Sequence, residues 1–305
     1  MTASLRQTEI VRPDFAGIDT WPDQDILNAF LAGQQRAIDA VRQAGVAVAA
    51  AATEIARRLQ AGGTLYYAGA GSSIRIAVQD GTELPATFGI SESQLDYLIA
   101  GGRVAMFDTL AEKEDSAENG RAAAMVCGSR DVMLAVAASG RTPFTCAAAE
   151  TAKARGSYVI AVVNVTGSVL GKVADLEVVL ATGPEVIAGS TRMGAGTAQK
   201  VALNLISSLV GIKLGAVHDG MMVAMRPENE KLRERAMQII SQVSGVSSEA
   251  AKSALNTAGE IKPAILLCRG ASSNTQANDL LAAAGGNLRT AMRQLEENQK
   301  PSTQH

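Results

Sequence analysis

The chain has 305 residues, with 28 lysines and arginines, 30 aspartates and glutamates, and a formal net charge of −2. This balance, without long runs of like charge, argues against nucleic acid or a membrane surface as a partner. No apolar run reaches the roughly 20 residues of a membrane span, and the first residues lack the apolar core of a signal peptide. We expect a soluble, cytoplasmic globular protein with more than one structural unit.

Cysteine and histidine are too few and too scattered to form a metal site. Cys127, Cys146 and Cys268 stand apart in apolar settings, which predicts reduced core residues. The only histidines are His218 and His305, so the sequence offers no cluster of zinc ligands. We expect no metal.

The N-terminal part predicts a polar arm followed by helix. Residues 1–19 show no clear period, and Thr20 then stands where a helix N-cap would be, with Pro22 inside the first turn. Apolar residues over 38–59 recur at spacings of three and four, which predicts one long amphipathic helix closed by glycines 62–63.

From residue 64 the chain alternates strand-like and helix-like segments. The predicted strands are 64–68, 132–137, 158–164 and 176–180. The predicted helices include 72–80, 109–125, 145–155 and 169–173. Because the strands are nearly continuous in apolar residues, this alternation predicts an α/β fold with a doubly wound parallel sheet, covered on both faces.

The C-terminal part changes to charged amphipathic helices. They are predicted at 230–242, 248–255, 276–284 and 288–296, and an apolar run at 264–268 interrupts them. We therefore divide the chain into an N-terminal arm and helix (1–54), a ligand-binding α/β domain (55–218) and a small helical domain (219–305).

Three loops rich in glycine, serine and threonine precede predicted helices, two of them directly after strands. Such loops expose backbone N–H groups and a positive helix end, which suit an anion such as a phosphate. Their candidate ligands are Gly71, Ser72 and Ser73 in the first, Ser139, Gly140, Arg141 and Thr142 in the second, and Ser190 and Thr191 in the third. The alternative is that they are only tight turns. A dinucleotide site is disfavoured because Ile74 replaces the third glycine of that motif.

Two glutamates are candidates for acid–base chemistry. Glu83 precedes Pro85, which we expect to end a helix, so that Glu83 stands on a turn among apolar neighbours that favour a protonated carboxyl. Glu114 belongs to the acidic run 112–118. An exposed turn residue and a solvated helix face are the alternatives, and the residues alone do not distinguish Glu114 from its acidic neighbours.

Taken together, these motifs resemble the N-acetylmuramic acid 6-phosphate etherases, enzymes of bacterial cell-wall recycling built on the sugar-isomerase (SIS) fold. The similarity extends from about residue 19 to residue 294. It is densest over 68–73, 82–89, 98–102, 114–115, 138–143, 183–186, 189–193, 195–200 and 229–232. The last of the candidate ligands, Glu185, lies within one of these segments.

The resemblance implies a lyase that removes the D-lactyl ether of the sugar phosphate, releasing D-lactate and N-acetylglucosamine 6-phosphate. By analogy with the family, Glu114 is the base at C2 and Glu83 the acid at the ether oxygen, with no metal and no cofactor. The alternatives are a non-catalytic sugar-phosphate sensor of the SIS fold and an aldose–ketose isomerase. The resemblance also implies a homodimer, and the apolar face over 38–59 suggests a subunit contact.

The chain departs from the family pattern at a few positions. Ile74 stands where many members have glycine, Gly194 replaces a frequent lysine, and Ala224 takes a position that is often acidic or polar. Because both glutamates are intact, these changes concern substrate detail more than reaction type. His218 has no evident partner in the sequence, and we expect a polar loop or interface residue.

Overall fold

The computed structural model describes residues 10–108 and 111–299. In chain order, its helices and strands are α1 (Asp23–Gln43), α2 (Gly45–Gln60), β1 (Leu65–Gly69), α3 (Gly71–Phe88), β2 (Leu95–Ile99), α4 (Ala111–Glu114), α5 (Ala117–Ala123), β3 (Val132–Val136), α6 (Pro143–Ala154), β4 (Tyr158–Val163), α7 (Val169–Val173), β5 (Leu176–Val179), α8 (Gly194–Lys213), β6 (Val217–His218), β7 (Met221–Met222), α9 (Glu230–Ser244), α10 (Ser248–Ala258), α11 (Ile261–Cys268), α12 (Asn274–Ala283) and α13 (Leu288–Gln299). Short 3₁₀ turns lie between some of them.

The centre of the fold is a five-stranded sheet with the order β2-β1-β3-β4-β5, in which all neighbours are parallel. Every residue of β1 and β3 is buried, and β4 is buried except at its first residue. Continuous burial is expected where helices cover both faces of a parallel sheet. The predicted doubly wound α/β fold is confirmed.

Strand β2 was not predicted from the sequence. It lies at the edge of the sheet and only one of its five residues is buried. Asp96, its second residue, is exposed, and its side chain accepts a hydrogen bond from the backbone N–H of Tyr97. Because an edge strand needs apolar residues on only part of its surface, the apolar run that identified the other strands is missing here.

The N-terminal helix differs from its prediction in two ways. Residues Ile18–Thr20 form a 3₁₀ turn, and the N-cap of α1 is Pro22 instead of Thr20. The predicted long helix is two helices, because the backbone of Ala44 leaves helical geometry before α2 begins at Gly45. Glycine has a low helix propensity, which makes this a favourable place for a break.

Two further helix predictions were wrong in extent. Helix α3 does not end before Pro85 but continues to Phe88, so that proline lies inside the helix. The predicted helix over 109–125 is α4 followed by α5, because Ser116 caps α5 by accepting a hydrogen bond from the N–H of Asn119. Residues 109 and 110 of the predicted helix lie outside the described part of the chain.

The chain forms two compact units. One contains the described residues up to Thr82 together with Glu92–Leu209, and the other contains Glu83–Ser91 and the described residues from Val210 onward. The second unit has its own apolar core of helices, in which the run at 264–268 belongs to α11. The domain boundaries at residues 54 and 218 remain predictions.

The three cysteines are all free thiols. Burial raises the pKa of Cys127 to about 12 and that of Cys146 to about 11. Cys268 is half-buried, and burial raises the pKa of its thiol as well. In the described residues, no helix is both long and apolar enough to cross a membrane.

Candidate active site

The first two glycine-rich loops follow neighbouring strands of the sheet. Gly69 at the end of β1 pairs in register with Val136 at the end of β3. Strand β1 also pairs with β2 on its other side, so the chain changes direction across the sheet between β1 and β3. In doubly wound sheets ligands bind at this switch point, outside the carboxyl ends of the strands.

The first loop requires glycine at residue 71. Gly71 begins α3 with a φ of +53°, a left-handed conformation that favours glycine. A Cβ atom at this position would lie 2.7 Å from Oε1 of Glu114. The backbone at the start of α3 and the carboxylate of Glu114 are therefore in close approach. Ser72 is exposed and Ser73 is half-buried in the first turn of α3.

Glu114 is distinguished from the acidic residues around it by its surroundings. Glu112, Asp115 and Glu118 are exposed, whereas Glu114 is half-buried against Gly71. Burial raises the pKa of the Glu114 carboxyl, the negative charge of Asp115 raises it further, and the positive charge of Arg75 opposes both effects. A half-buried carboxylate with a raised pKa is a stronger base than an ordinary surface glutamate.

Glu114 and the first loop line a common cavity of about 260 Å³. Its wall consists of Gly71, Ser72, Arg75, Ala100, Ala105, Asp108 and Glu114. Among the predicted site residues of the first unit, the structure therefore brings three into one cavity. Arg75 was not predicted from the sequence, although its position one helical turn after the glycine-rich loop was a usable signal.

The second loop also requires glycine, at residue 140. Gly140 has a φ of +58°, and a Cβ atom there would lie 2.4 Å from the Cβ of Ser168. Ser139 is half-buried and its hydroxyl accepts a hydrogen bond of 3.3 Å from the N–H of Arg141. Thr142 is the N-cap of α6, where its side chain makes no capping hydrogen bond. Arg141 is exposed.

In the third loop, Glu185 has a clear structural contact. Its buried carboxylate accepts hydrogen bonds of 2.9 Å from the backbone N–H groups of Gly194 and Ala195, at the start of α8. A carboxylate here satisfies N–H groups that the helix leaves unpaired and complements the positive helix end. Ser190 and Thr191 are half-buried in the turns just before this helix.

Glu83 does not have the surroundings that its sequence predicted. It lies inside α3 instead of on a turn, and its side chain is exposed instead of covered by apolar neighbours. The reason is that α3 continues through Pro85, which leaves Glu83 on a solvated part of the helix. Glu83 belongs to the second unit.

Comparison with known proteins places the chain in a family. An SIS domain model matches residues 29–164. The N-acetylmuramic acid 6-phosphate etherase of Deinococcus radiodurans is 38% identical over 94% of this chain and 95% of that protein. The chain belongs to the N-acetylmuramic acid 6-phosphate etherase family. The etherase of Symbiobacterium thermophilum is 46% identical over 72% of this chain and 74% of its own length.

A solved structure confirms the SIS fold of this etherase family member. A phosphoheptose isomerase from Francisella tularensis superposes with a TM-score of 0.51 at 20% identity. The match covers 63% of this chain and all of the isomerase chain. The etherase relationship, at much higher identity, favours the lyase over the sensor and the isomerase that the sequence left open.

The three residues expected to depart from the etherase pattern lie outside the cavity wall. Ile74 is buried, and a Cβ atom added at Gly69 would lie 3.2 Å from the Cβ of Ile74. A Cβ on Gly194 would lie 3.1 Å from Oε2 of Glu185, so a lysine in this backbone would require a small shift of that carboxylate. Ala224 is half-buried in the second unit.

His218 is buried at the start of a tight hairpin between β6 and β7. Its Nε2 lies 3.4 Å from Oδ2 of Asp219, which itself bonds to Arg289. Burial lowers the pKa of His218, and the charge of Asp219 opposes this effect. In the part of the chain that the structure describes, no three His, Cys, Asp or Glu residues are grouped as a metal site.

Proposed function

We propose that this chain is a lyase that cleaves the D-lactyl ether of N-acetylmuramic acid 6-phosphate, giving N-acetylglucosamine 6-phosphate and D-lactate. The observation that carries the proposal is the cavity in which Glu114, a half-buried carboxylate with a raised pKa, meets a glycine-serine loop at the switch point of the sheet. Membership of the etherase family supplies the substrate class.

Glu114 is the base in this proposal. In the open-chain sugar, the C2 proton lies next to the C1 aldehyde, so its removal gives a resonance-stabilised enolate. Elimination across C2 and C3 then expels the ether oxygen, and water adds to C3 of the unsaturated aldehyde. A positioned general base contributes roughly 10²–10⁴-fold to such a step.

Glu83 is the acid that protonates the departing ether oxygen. An alkoxide is a poor leaving group, so a proton donor at this oxygen lowers the barrier. This role is assigned by analogy with the family.

The phosphate of the substrate binds at the carboxyl edge of the sheet. The contacts come from Ser72 and Ser73 at the start of α3 and from Ser139 and Thr142 before α6, with Ser190 and Thr191 closing the site. Hydroxyls and free N–H groups at helix N-termini are suited to phosphate. Glu185 orders the start of α8 through its two backbone contacts, and its role as a substrate ligand stays a prediction.

Two copies of the chain form a homodimer in this proposal, through a face that shares only Ile38 with the face that the sequence suggested. Most apolar residues over 38–59 are buried within the first unit itself. An exposed apolar face lies on α1, where Leu27, Leu31 and Ile38 are 53%, 65% and 40% exposed. Their spacings of four and seven put them on one side of the helix.

A cytoplasmic location accompanies this proposal, since three free thiols suit a reducing compartment. The test of the function is product analysis after incubation of the purified protein with N-acetylmuramic acid 6-phosphate. We expect equal amounts of D-lactate and N-acetylglucosamine 6-phosphate. Absence of both products, from protein shown to be folded, would refute the proposal.

A further inference from the structure

Arg75 is held rigidly at the wall of the cavity that contains Glu114. Its Nε donates to the carbonyl oxygen of Ala105 at 3.2 Å, and its Nη2 donates to the carbonyl oxygens of Ala105 at 2.9 Å and Asp108 at 3.0 Å. These bonds fix the plane of the guanidinium group against the segment that follows β2. The remaining N–H donors of the group are left for another acceptor.

The acceptors that hold this cation are neutral carbonyl oxygens and not a carboxylate. Among residues 10–108 and 111–299, no carboxylate oxygen lies within 4.0 Å of the guanidinium nitrogens of Arg75. Arg75 is half-buried, and neutral carbonyl oxygens satisfy only part of its hydrogen-bonding capacity. A partly desolvated, orientationally fixed guanidinium group is suited to bind a carboxylate with two parallel hydrogen bonds.

From this geometry, and resting on the function proposed above, we propose that Arg75 binds the carboxylate of the substrate's lactyl group and so selects the ether over sugar phosphates that lack it. The lactyl carboxylate is separated from the ether oxygen by a single carbon, and that oxygen is attached to C3, next to the carbon at which Glu114 acts. When the substrate binds with its C2 at Glu114, its lactyl carboxylate therefore lies in the same cavity.

The carboxylates in the cavity wall make a cation necessary for this contact. Asp108 and Glu114 line the cavity together with Arg75. Without Arg75, the charged residues of the wall would all be acidic, so an anionic substituent would be repelled by them. The phosphate has other partners, the hydroxyls and helix N-termini of the glycine-rich loops, so it does not need this arginine.

The test compares two ligands that differ by the lactyl group. Binding is measured by calorimetry in a Glu114→Gln background, which prevents turnover, with and without Arg75→Met. We expect Arg75→Met to weaken the binding of N-acetylmuramic acid 6-phosphate by at least about tenfold, as for a lost charge-assisted hydrogen bond. The affinity for N-acetylglucosamine 6-phosphate, which keeps the phosphate, should change by less than about twofold. The affinity of Arg75→Lys for N-acetylmuramic acid 6-phosphate should lie between those of the Arg75 protein and Arg75→Met. Lysine keeps the positive charge but cannot donate two parallel hydrogen bonds.

The matched control is Arg103→Met, at an exposed arginine of the same segment that does not line the cavity. It should leave both affinities unchanged. Equal weakening of both ligands by Arg75→Met would overturn the proposal, because it would mean that Arg75 only supports the segment or binds phosphate. An unchanged affinity for both would also overturn it. Failure of the proposed function is seen separately, as wild-type protein that releases no lactate.

Discussion

The chemistry of Glu114 depends on the charges next to it. Asp115 raises the pKa of the Glu114 carboxyl, and Arg75 lowers it. Because a base acts in its deprotonated form, we expect kcat/KM to fall on the acidic side as pH drops through the pKa of Glu114, at a pH above the ordinary glutamate value of 4.5.

Asp115→Asn removes a negative charge, so it should lower the pKa of Glu114 and move this acidic limb to lower pH. Asp115 is exposed, so solvent screens its effect and the shift should be small and reduced by added salt. The measurement is a pH profile of kcat/KM at two salt concentrations. Glu118→Gln is the control, and it should leave the limb in place. A shift to higher pH for Asp115→Asn would contradict the electrostatic explanation.

Ser139 tests the phosphate site at the level of one hydroxyl. Ser139→Ala should raise KM for the phosphorylated sugar, by about 0.5–1.5 kcal/mol in binding free energy for a lost neutral hydrogen bond. The value of kcat should change less, since the phosphate is remote from the reacting carbons. Steady-state kinetics measure both constants. An unchanged KM would remove Ser139 from the phosphate site.

At the scale of elements, a buried polar cluster joins α3 to α8 and β1 within the first unit. The carboxylate of Asp80 accepts hydrogen bonds from the hydroxyl of Tyr67 at 3.0 Å, the amide of Asn204 at 2.7 Å and the hydroxyl of Ser207 at 2.8 Å. Tyr67 stacks on Tyr97 of the edge strand with ring centroids 5.7 Å apart. Helix α3 carries Arg75 and begins at the glycine-rich loop. By anchoring this helix, the cluster helps to position both.

Removing the acceptor at Asp80 should take a hydrogen bond from each of three donors, on the buried Tyr67 and Ser207 and on the half-buried Asn204. We expect Asp80→Ala to lower the free energy of unfolding by at least about 3 kcal/mol, and Asp80→Asn by less, because each unsatisfied group costs about 1–3 kcal/mol. Urea unfolding followed by fluorescence of Trp21, the only tryptophan and part of the first unit, measures this change. A loss below about 0.5 kcal/mol for Asp80→Ala would mean that the cluster contributes little.

The elements that the sequence predicted are those with continuous or periodic apolar residues. The fully buried strands β1, β3 and β4 were found because both faces are covered. The half-exposed edge strand β2 has no such signal. Pro85 was misleading, because a helix that loses one backbone hydrogen bond continues when the rest of its length is well packed.

The site was predictable in part, for a related reason. Local composition identified the loops at Gly71 and Gly140, whose positive φ values require glycine. It did not identify Glu114 among neighbouring acids, because what distinguishes Glu114 is a tertiary contact with Gly71. Arg75 was missed for the same reason, since its partners at 105 and 108 are distant in sequence.

For the whole molecule, the exposed apolar face of α1 predicts self-association. Leu31→Glu places a charge in the middle of the face formed by Leu27, Leu31 and Ile38, so we expect it to convert a dimer into a monomer. Sedimentation velocity measures the change. Val46→Glu adds the same charge at an exposed apolar residue of α2 and should leave the dimer intact. Wild-type protein that is monomeric and fully active would refute the homodimer.

In the proposed mechanism, Glu114 and Glu83 act at different stages of one elimination. Each is replaced by glutamine, which keeps the size of the side chain, and folding is checked by circular dichroism. Each variant is then incubated with N-acetylmuramic acid 6-phosphate in deuterated water while C2 is followed by NMR. We expect Glu114→Gln to show neither C2 exchange nor lactate release, because the base is gone. Glu83→Gln should keep C2 exchange and lose lactate release. Exchange in Glu114→Gln but not in Glu83→Gln would reverse the roles, and full turnover in both would contradict the mechanism.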